Sequence, residues 1–136
     1  MNEKSSDALS VVVEREAPCS PEMIWRALAR PDLIEAWVMK NYFKPVVSHR
    51  FDLRADRRTV GCQVGAVEPN ETLSYTWEAH GLESVVTWTL TRSGRGTGLR
   101  MEQSGFRPDR RQAYQGAKGG WPQFLAALEP LLARRA

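Results

Sequence analysis

Ser104-Gly105-Phe106, then Gly119-Gly120-Trp121-Pro122 running into Phe124-Leu125-Ala126-Ala127-Leu128 and on to Leu132, is the stretch on which the fold turns. Tyr114, Ala117, Trp121, Phe124, Leu125, Leu128, Leu131 and Leu132 recur at intervals of three and four. That spacing draws one apolar stripe down a helix, expected from about Arg110 to Arg134. Pro122 and Pro130 fall within the stripe. Each removes a helical N–H and crowds the preceding turn, and Gly119-Gly120 loosens the same place, so a bend is expected over 118–122. No other long helical pattern occurs. A lone helix that follows a series of strands must cover the apolar face of their sheet, so its large and small residues shape the space between the two.

Upstream of it the chain alternates with a period of two. Leu9, Val11 and Val13 predict a first strand. Val47, His49, Phe51 and Leu53 predict one face of the next, and Val60, Cys62, Val64 and Ala66 one face of the third. Leu73, Tyr75 and Trp77 follow, then Val86, Trp88 and Leu90, then Leu99, Met101 and Gln103. The turns between them are marked by Glu68-Pro69-Asn70-Glu71, His80-Gly81 and Ser93-Gly94-Arg95-Gly96. Between the first two strands, Ser20-Pro21-Glu22 is a helix start, with Ser20 as cap and Pro21 at the first helical position. Ile24, Trp25 and Leu28 continue that helix. Pro31-Asp32 restarts the chain into a second short one carrying Leu33, Ile34 and Trp37. Strands followed by one long helix give an α+β fold: a curved antiparallel sheet of about six strands wrapped around the C-terminal helix.

Composition narrows the function classes. The 136 residues suit one domain, expected over 8–134 behind a short flexible tail at 1–7. A net charge of +3, with arginines scattered among acidic residues, lacks the concentrated basic stripe that a phosphate backbone requires, so nucleic acid is not expected as a partner. Cys19 and Cys62 have neither metal-ligand spacing nor a disulfide framework, and read as reduced, buried thiols of a cytoplasmic protein. No apolar run approaches the ~18 residues of a membrane span, so no membrane insertion is expected. The two histidines lie far apart and offer no metal site. Gly94-Arg95-Gly96-Thr97-Gly98 is a hairpin without the helix that would hold a phosphate, and Ser84 and Ser104 make no nucleophile motif with the histidines. No cofactor is implied.

The order of elements, and the residues within them, resemble the activator of Hsp90 ATPase homologue family of the START-like (SRPBCC) superfamily. The resemblance covers residues 8 to 133. It is carried by Ala17-Pro18-Cys19-Ser20-Pro21-Glu22-Met23-Ile24-Trp25, Pro31-Asp32-Leu33 with Ala36-Trp37, and Phe43-Lys44-Pro45-Val46-Val47 with Phe51. Further along come Val67-Glu68-Pro69 leading to Leu73-Ser74-Tyr75-Thr76-Trp77, Val86-Thr87-Trp88-Thr89-Leu90, Gly96-Thr97, Ser104-Gly105-Phe106, and Gly120-Trp121 with Leu128. Two departures stand out. Relatives commonly have glycine where this chain has Ser48, ahead of His49-Arg50-Phe51, and often a histidine in place of Gln103. The resemblance implies the helix-grip fold and a cavity between sheet and long helix for a hydrophobic, amphipathic or lipid-like small molecule. It implies no single activity, because relatives bind, catalyse or stimulate a chaperone.

The candidate ligand-binding residues are Trp37, Phe43, His49, Phe51, Trp77, Trp88, Met101, Gln103, Phe106, Trp121, Phe124 and Leu125. Trp77, Trp88 and Trp121 are the expected cavity walls. His49 shares the inward face with Phe51 and is the candidate acid/base if the protein is a lyase, cyclase or hydrolase. Gln103 also points inward, and an inward amide must bond the backbone or meet a ligand. Arg100 and Glu102 are expected as a solvated pair on the wet face. A third reading, a chaperone cofactor acting by surface contact, is weakened by the expected single domain, since the eukaryotic activators carry a second.

Overall fold

The computed structural model describes residues 9–30, 33–34, 40–41, 44, 46–55, 58–79, 82–94, 96–107, 109 and 111–135. The expectations for Trp37, Phe43, His80 and the 1–7 tail lie outside these residues. The elements, in chain order, are β1 (Leu9–Ala17), α1 (Pro21–Ala29), β2 (Lys40–Asn41), β3 (Arg50–Ala55), β4 (Arg58–Glu68), β5 (Thr72–Ala79), β6 (Leu82–Ser93), β7 (Gly96–Phe106) and α2 (Arg111–Arg135). Leu33 and Ile34 are helical and buried where the second short helix is expected; the rest of that segment lies outside the described residues. The strands form one antiparallel sheet in the order β1-β7-β6-β5-β4-β3-β2, with the helix-grip architecture. Its six long strands are those expected, and the two-residue β2 adds a short edge beside β3.

Local chemistry accounts for the helix start and the turns. Ser20 caps α1, its Oγ accepting from the Met23 N–H at 3.4 Å, and Pro21 occupies the first turn. Asn70 turns the chain between β4 and β5 at φ 66, a left-handed conformation that asparagine tolerates better than most residues. The Ser93↔Gly96 pair closes a two-residue hairpin with Gly94 at φ 57. Arg100 pairs with Glu102 at 3.0 Å and with Glu14 at 3.6 Å on the outer face, as its alternation predicts.

Two expectations are corrected. Val47 does not share the inner face with Phe51: it is 60% exposed in a turn, and β3 begins only at Arg50. Ser48 turns there at φ 72, a left-handed conformation that glycine adopts at less cost. Ala66 does not continue the buried series Val60, Cys62, Val64, because the β4–β5 register shifts between Val64 and Val67. An extra residue in one strand reverses the facing of everything beyond it, so Ala66 is exposed while Leu73 and Val67 pair. The helix α2 runs from Arg111 to Arg135 without interruption, with Pro122 and Pro130 inside it. The turns on either side carry it across the two missing N–H donors.

The core lies on one side of the sheet, under the helices. Val60, Cys62, Val64, Leu73, Val86, Trp88, Leu99 and Met101 bury there against Ile24 and Leu28 of α1 and Leu125, Leu128 and Leu132 of α2. The C-terminal helix packs most extensively against β1 and α1. It therefore leans toward one edge of the sheet and stands off from the middle strands. That offset positions the candidate site.

Candidate functional site

Between α2 and the middle strands lies an open cavity of about 600 Å³. The sheet contributes Val60 from β4, Trp77 from β5, Ser84 from β6, and Gln103 and Phe106 from β7. The helix contributes Trp121 and Phe124, three glycines (Gly116, Gly119, Gly120) and three glutamines (Gln112, Gln115, Gln123), with small alanines between them. A volume of this size suits a drug-sized or cofactor-sized molecule.

Trp121 is the link between the two walls. Its indole is buried, and its Nε1–H donates to Gln103 Oε1 at 2.6 Å. The Gln103 Nε2–H donates to Ser84 Oγ at 2.8 Å, and Ser84 Oγ–H donates to the Trp77 carbonyl at 3.1 Å. The chain fixes the amide's orientation, because the indole can only donate and so selects the oxygen end. It joins the helix to three strands through groups that are all buried, where hydrogen bonds are strengthened by the low local dielectric. Gln103 thus does not bond the backbone: its direct partners are two side chains, and it lines the cavity as a candidate ligand contact. Each end of its amide makes one bond here, which leaves one N–H and one lone pair of its capacity unused in a residue that lines the cavity.

Phe106 reaches the cavity through a backbone device. Ser10 pairs with Ser104 but Leu9 pairs with Phe106, so Gly105 is an extra residue in β7, and it takes φ 102. The bulge shifts the alternation by one, so that exposed Gly105 is followed by buried Phe106. Phe106 then packs edge-on to Tyr114 of α2 at 5.7 Å.

The sequence-predicted residues divide. Trp77, Gln103, Phe106, Trp121 and Phe124 come together as cavity wall. Trp88, Met101 and Leu125 do not line it. They lie beneath, at 1%, 0% and 1% exposure, as core. The three tryptophans do not enclose a space, as the sequence suggested, because their rings touch: Trp77 to Trp121 at 5.1 Å and Trp88 to Trp121 at 5.7 Å. Trp88 is instead anchored by its Nε1–H to the Tyr75 hydroxyl at 2.9 Å, and burial pushes that phenol above its ordinary range. His49 and Phe51 also lie outside the cavity lining. They stack on each other at 6.1 Å with rings nearly parallel, and His49 is half-buried just before β3. Burial, then the Asp52 carboxylate, pushes the Cys62 thiol up to about 12, so it stays protonated and unreactive at neutral pH. Among the described residues, no group of three or more potential ligands could hold a metal ion.

Sequence reading missed Ser84 as a site residue, although it stands in phase with the inward Val86, Trp88 and Leu90. A serine in an otherwise apolar inward series was the available signal. It also missed the helix glutamines, whose i, i+3 spacing at 112 and 115 places them on neighbouring turns of one face.

Residues 18–133 match the family described as activator of Hsp90 ATPase homolog 1-like protein. Among solved structures, protein MLL2253 from Mesorhizobium loti is 58% identical, with a TM-score of 0.91 over 94% of this chain and 99% of that one. DynU16, described as a putative protein in the dynemicin biosynthetic locus, is 25% identical with a TM-score of 0.82, over 91% of this chain and 47% of that one. The Aha1 dimer from Colwellia psychrerythraea is 20% identical, TM-score 0.78, over 91% and 96%, which shows a shared fold. No curated protein matches the chain.

Proposed function

The chain belongs to the activator of Hsp90 ATPase homolog 1-like family, and from that premise we propose that it binds a hydrophobic or amphipathic small molecule in the cavity between the sheet and α2. The observation that carries this reading is the set of helix glycines. A Cβ added at Gly116, Gly119 or Gly120 would meet nothing within 4 Å. Close packing therefore does not require them. Each glycine inside a helix costs roughly 0.5–1 kcal/mol relative to alanine. Three such residues lining one cavity are accounted for if the space they leave open is used. The cytoplasm fits the two free, buried thiols Cys19 and Cys62. Among the described residues no helix is long and apolar enough to cross a membrane.

An enzymatic reading through His49 has less behind it, because His49 is absent from the cavity lining. The deciding experiment is a thermal-shift screen of apolar and amphipathic compounds on the parent protein and on Gly116→Leu. A ligand at a hundred times its Kd is expected to stabilise the parent by about 2.7 kcal/mol. The leucine fills open space, so the variant should fold normally and lose the shift. Shifts that persist in Gly116→Leu would move the ligand elsewhere and defeat the proposal.

A further inference from the structure

The cavity's walls hold no charged side chain among the described residues. This is unusual for the surroundings: the chain carries 19 Lys and Arg and 16 Asp and Glu, yet the lining's polar side-chain groups are the neutral ones of Gln103, Ser84, Gln112, Gln115 and Gln123 and the indole N–H groups of Trp77 and Trp121. Arg111, next to Gln112, is exposed and outside the lining. At the inner end, Trp77, Phe106, Trp121 and Phe124 present aromatic surface, with Trp121 edge-on to Phe124 at 5.4 Å. Rings set at such angles receive another ring by edge or face. Beside them, the Gln103 amide has one N–H and one lone pair left over, the complement of a hydroxyl, amide or amine N–H, or ketone. An ionised carboxylate or sulfonate can only accept, and against these walls it would give up part of its water without gaining a cation from the lining.

We propose that the cavity selects uncharged aromatic ligands and discriminates against anions of the same skeleton. The inference rests on the proposed binding function and specifies its ligand class. The test uses two fluorescent probes with one ring system: N-phenyl-1-naphthylamine, neutral, and 8-anilino-1-naphthalenesulfonate, which adds one sulfonate. Titrated into the whole protein at pH 7, the neutral probe is expected to bind at least tenfold tighter. Because the neutral probe is also the more apolar, a second arm isolates charge. Gln115→Lys places a cation on the wall and is expected to narrow the ratio at least tenfold, chiefly by tightening the sulfonate. Gly116→Leu should weaken both probes, which locates them in the cavity.

A sulfonate that binds as tightly as the neutral probe, or a ratio unmoved by Gln115→Lys, overturns the charge selection and leaves the binding function standing. Failure of both probes to respond to Gly116→Leu overturns the binding function and this inference with it.

Discussion

Two groups of glycines in this molecule do opposite things. At the junction of β1 and β7, Gly96 lies against the Ala17 backbone so closely that a Cβ would collide with its carbonyl oxygen. The same junction is tied by Thr97, whose buried Oγ1–H donates to the Cys19 carbonyl at 2.8 Å. On α2, Gly116, Gly119 and Gly120 face open space. In the first region glycine lets two backbones touch; in the second it keeps two walls apart. The difference shows that a missing side chain has no fixed meaning, and that its neighbours decide whether it stands for close packing or for vacancy.

Substitution tests this contrast directly. Gly96→Ala forces a methyl into a backbone oxygen and should destabilise the fold by about 3 kcal/mol, read as a fall in the urea midpoint. An unchanged midpoint would mean that the junction yields, and the contrast would lose its tight side. Gln103→Leu, at the link between the two walls, strands the buried Trp121 N–H and should cost about 1–3 kcal/mol. Trp121→Phe in the Gln103→Leu background should then cost less than in the parent, because the stranded donor is gone; strict additivity would show that the bond contributes nothing.

The packed side also has a pH signature. Burial raises the Cys62 thiol from 9.0 to about 12 in the folded chain. A raised pKa gives stability that is complete below the unfolded value and declines as pH climbs through the window from 9 to 12. The expected loss is about 1 kcal/mol per pH unit above 9, and Cys62→Ala should flatten it in alkaline urea titrations. The smallest effect belongs to the open side. Gly116→Ala should raise stability by about 0.5–1 kcal/mol, the helix gain with nothing to clash against. A destabilised Gly116→Ala would place hidden packing there and erase the contrast.

Much of this architecture could be read from spacing alone. Alternation located all six long strands, β1 and β3 to β7, except β3's start, since one buried face imposes a period of two. The cap at Ser20 and Pro21 and the turn at Asn70 follow from single-residue conformational preference, and were equally accessible. What escaped has a common cause. Ala66, Val47 and Trp88 were misplaced because facing depends on where a bulge or a left-handed residue resets the register, and on which inward ring lies beneath another. Those outcomes are set by contacts between strands and helix, far apart in sequence. Gln103 shows the limit clearly: its inward direction was predictable, but its partners, 18 and 19 residues away, were not.

Gly105 carries one more consequence. With φ 102 and a register step beside it, it splits β7 into two reading frames. Upstream, odd-numbered residues face inward; at Phe106 the even frame begins. The strand thus works like a message with one inserted letter, coherent on both sides but translated differently. Deleting Gly105 would only remove the inserted letter and leave Phe106 facing inward opposite Leu9; replacing it with valine, which strongly disfavours φ 102, would press β7 toward unbroken alternation and turn Phe106 outward, emptying one wall of its aromatic ring without removing that ring from the chain.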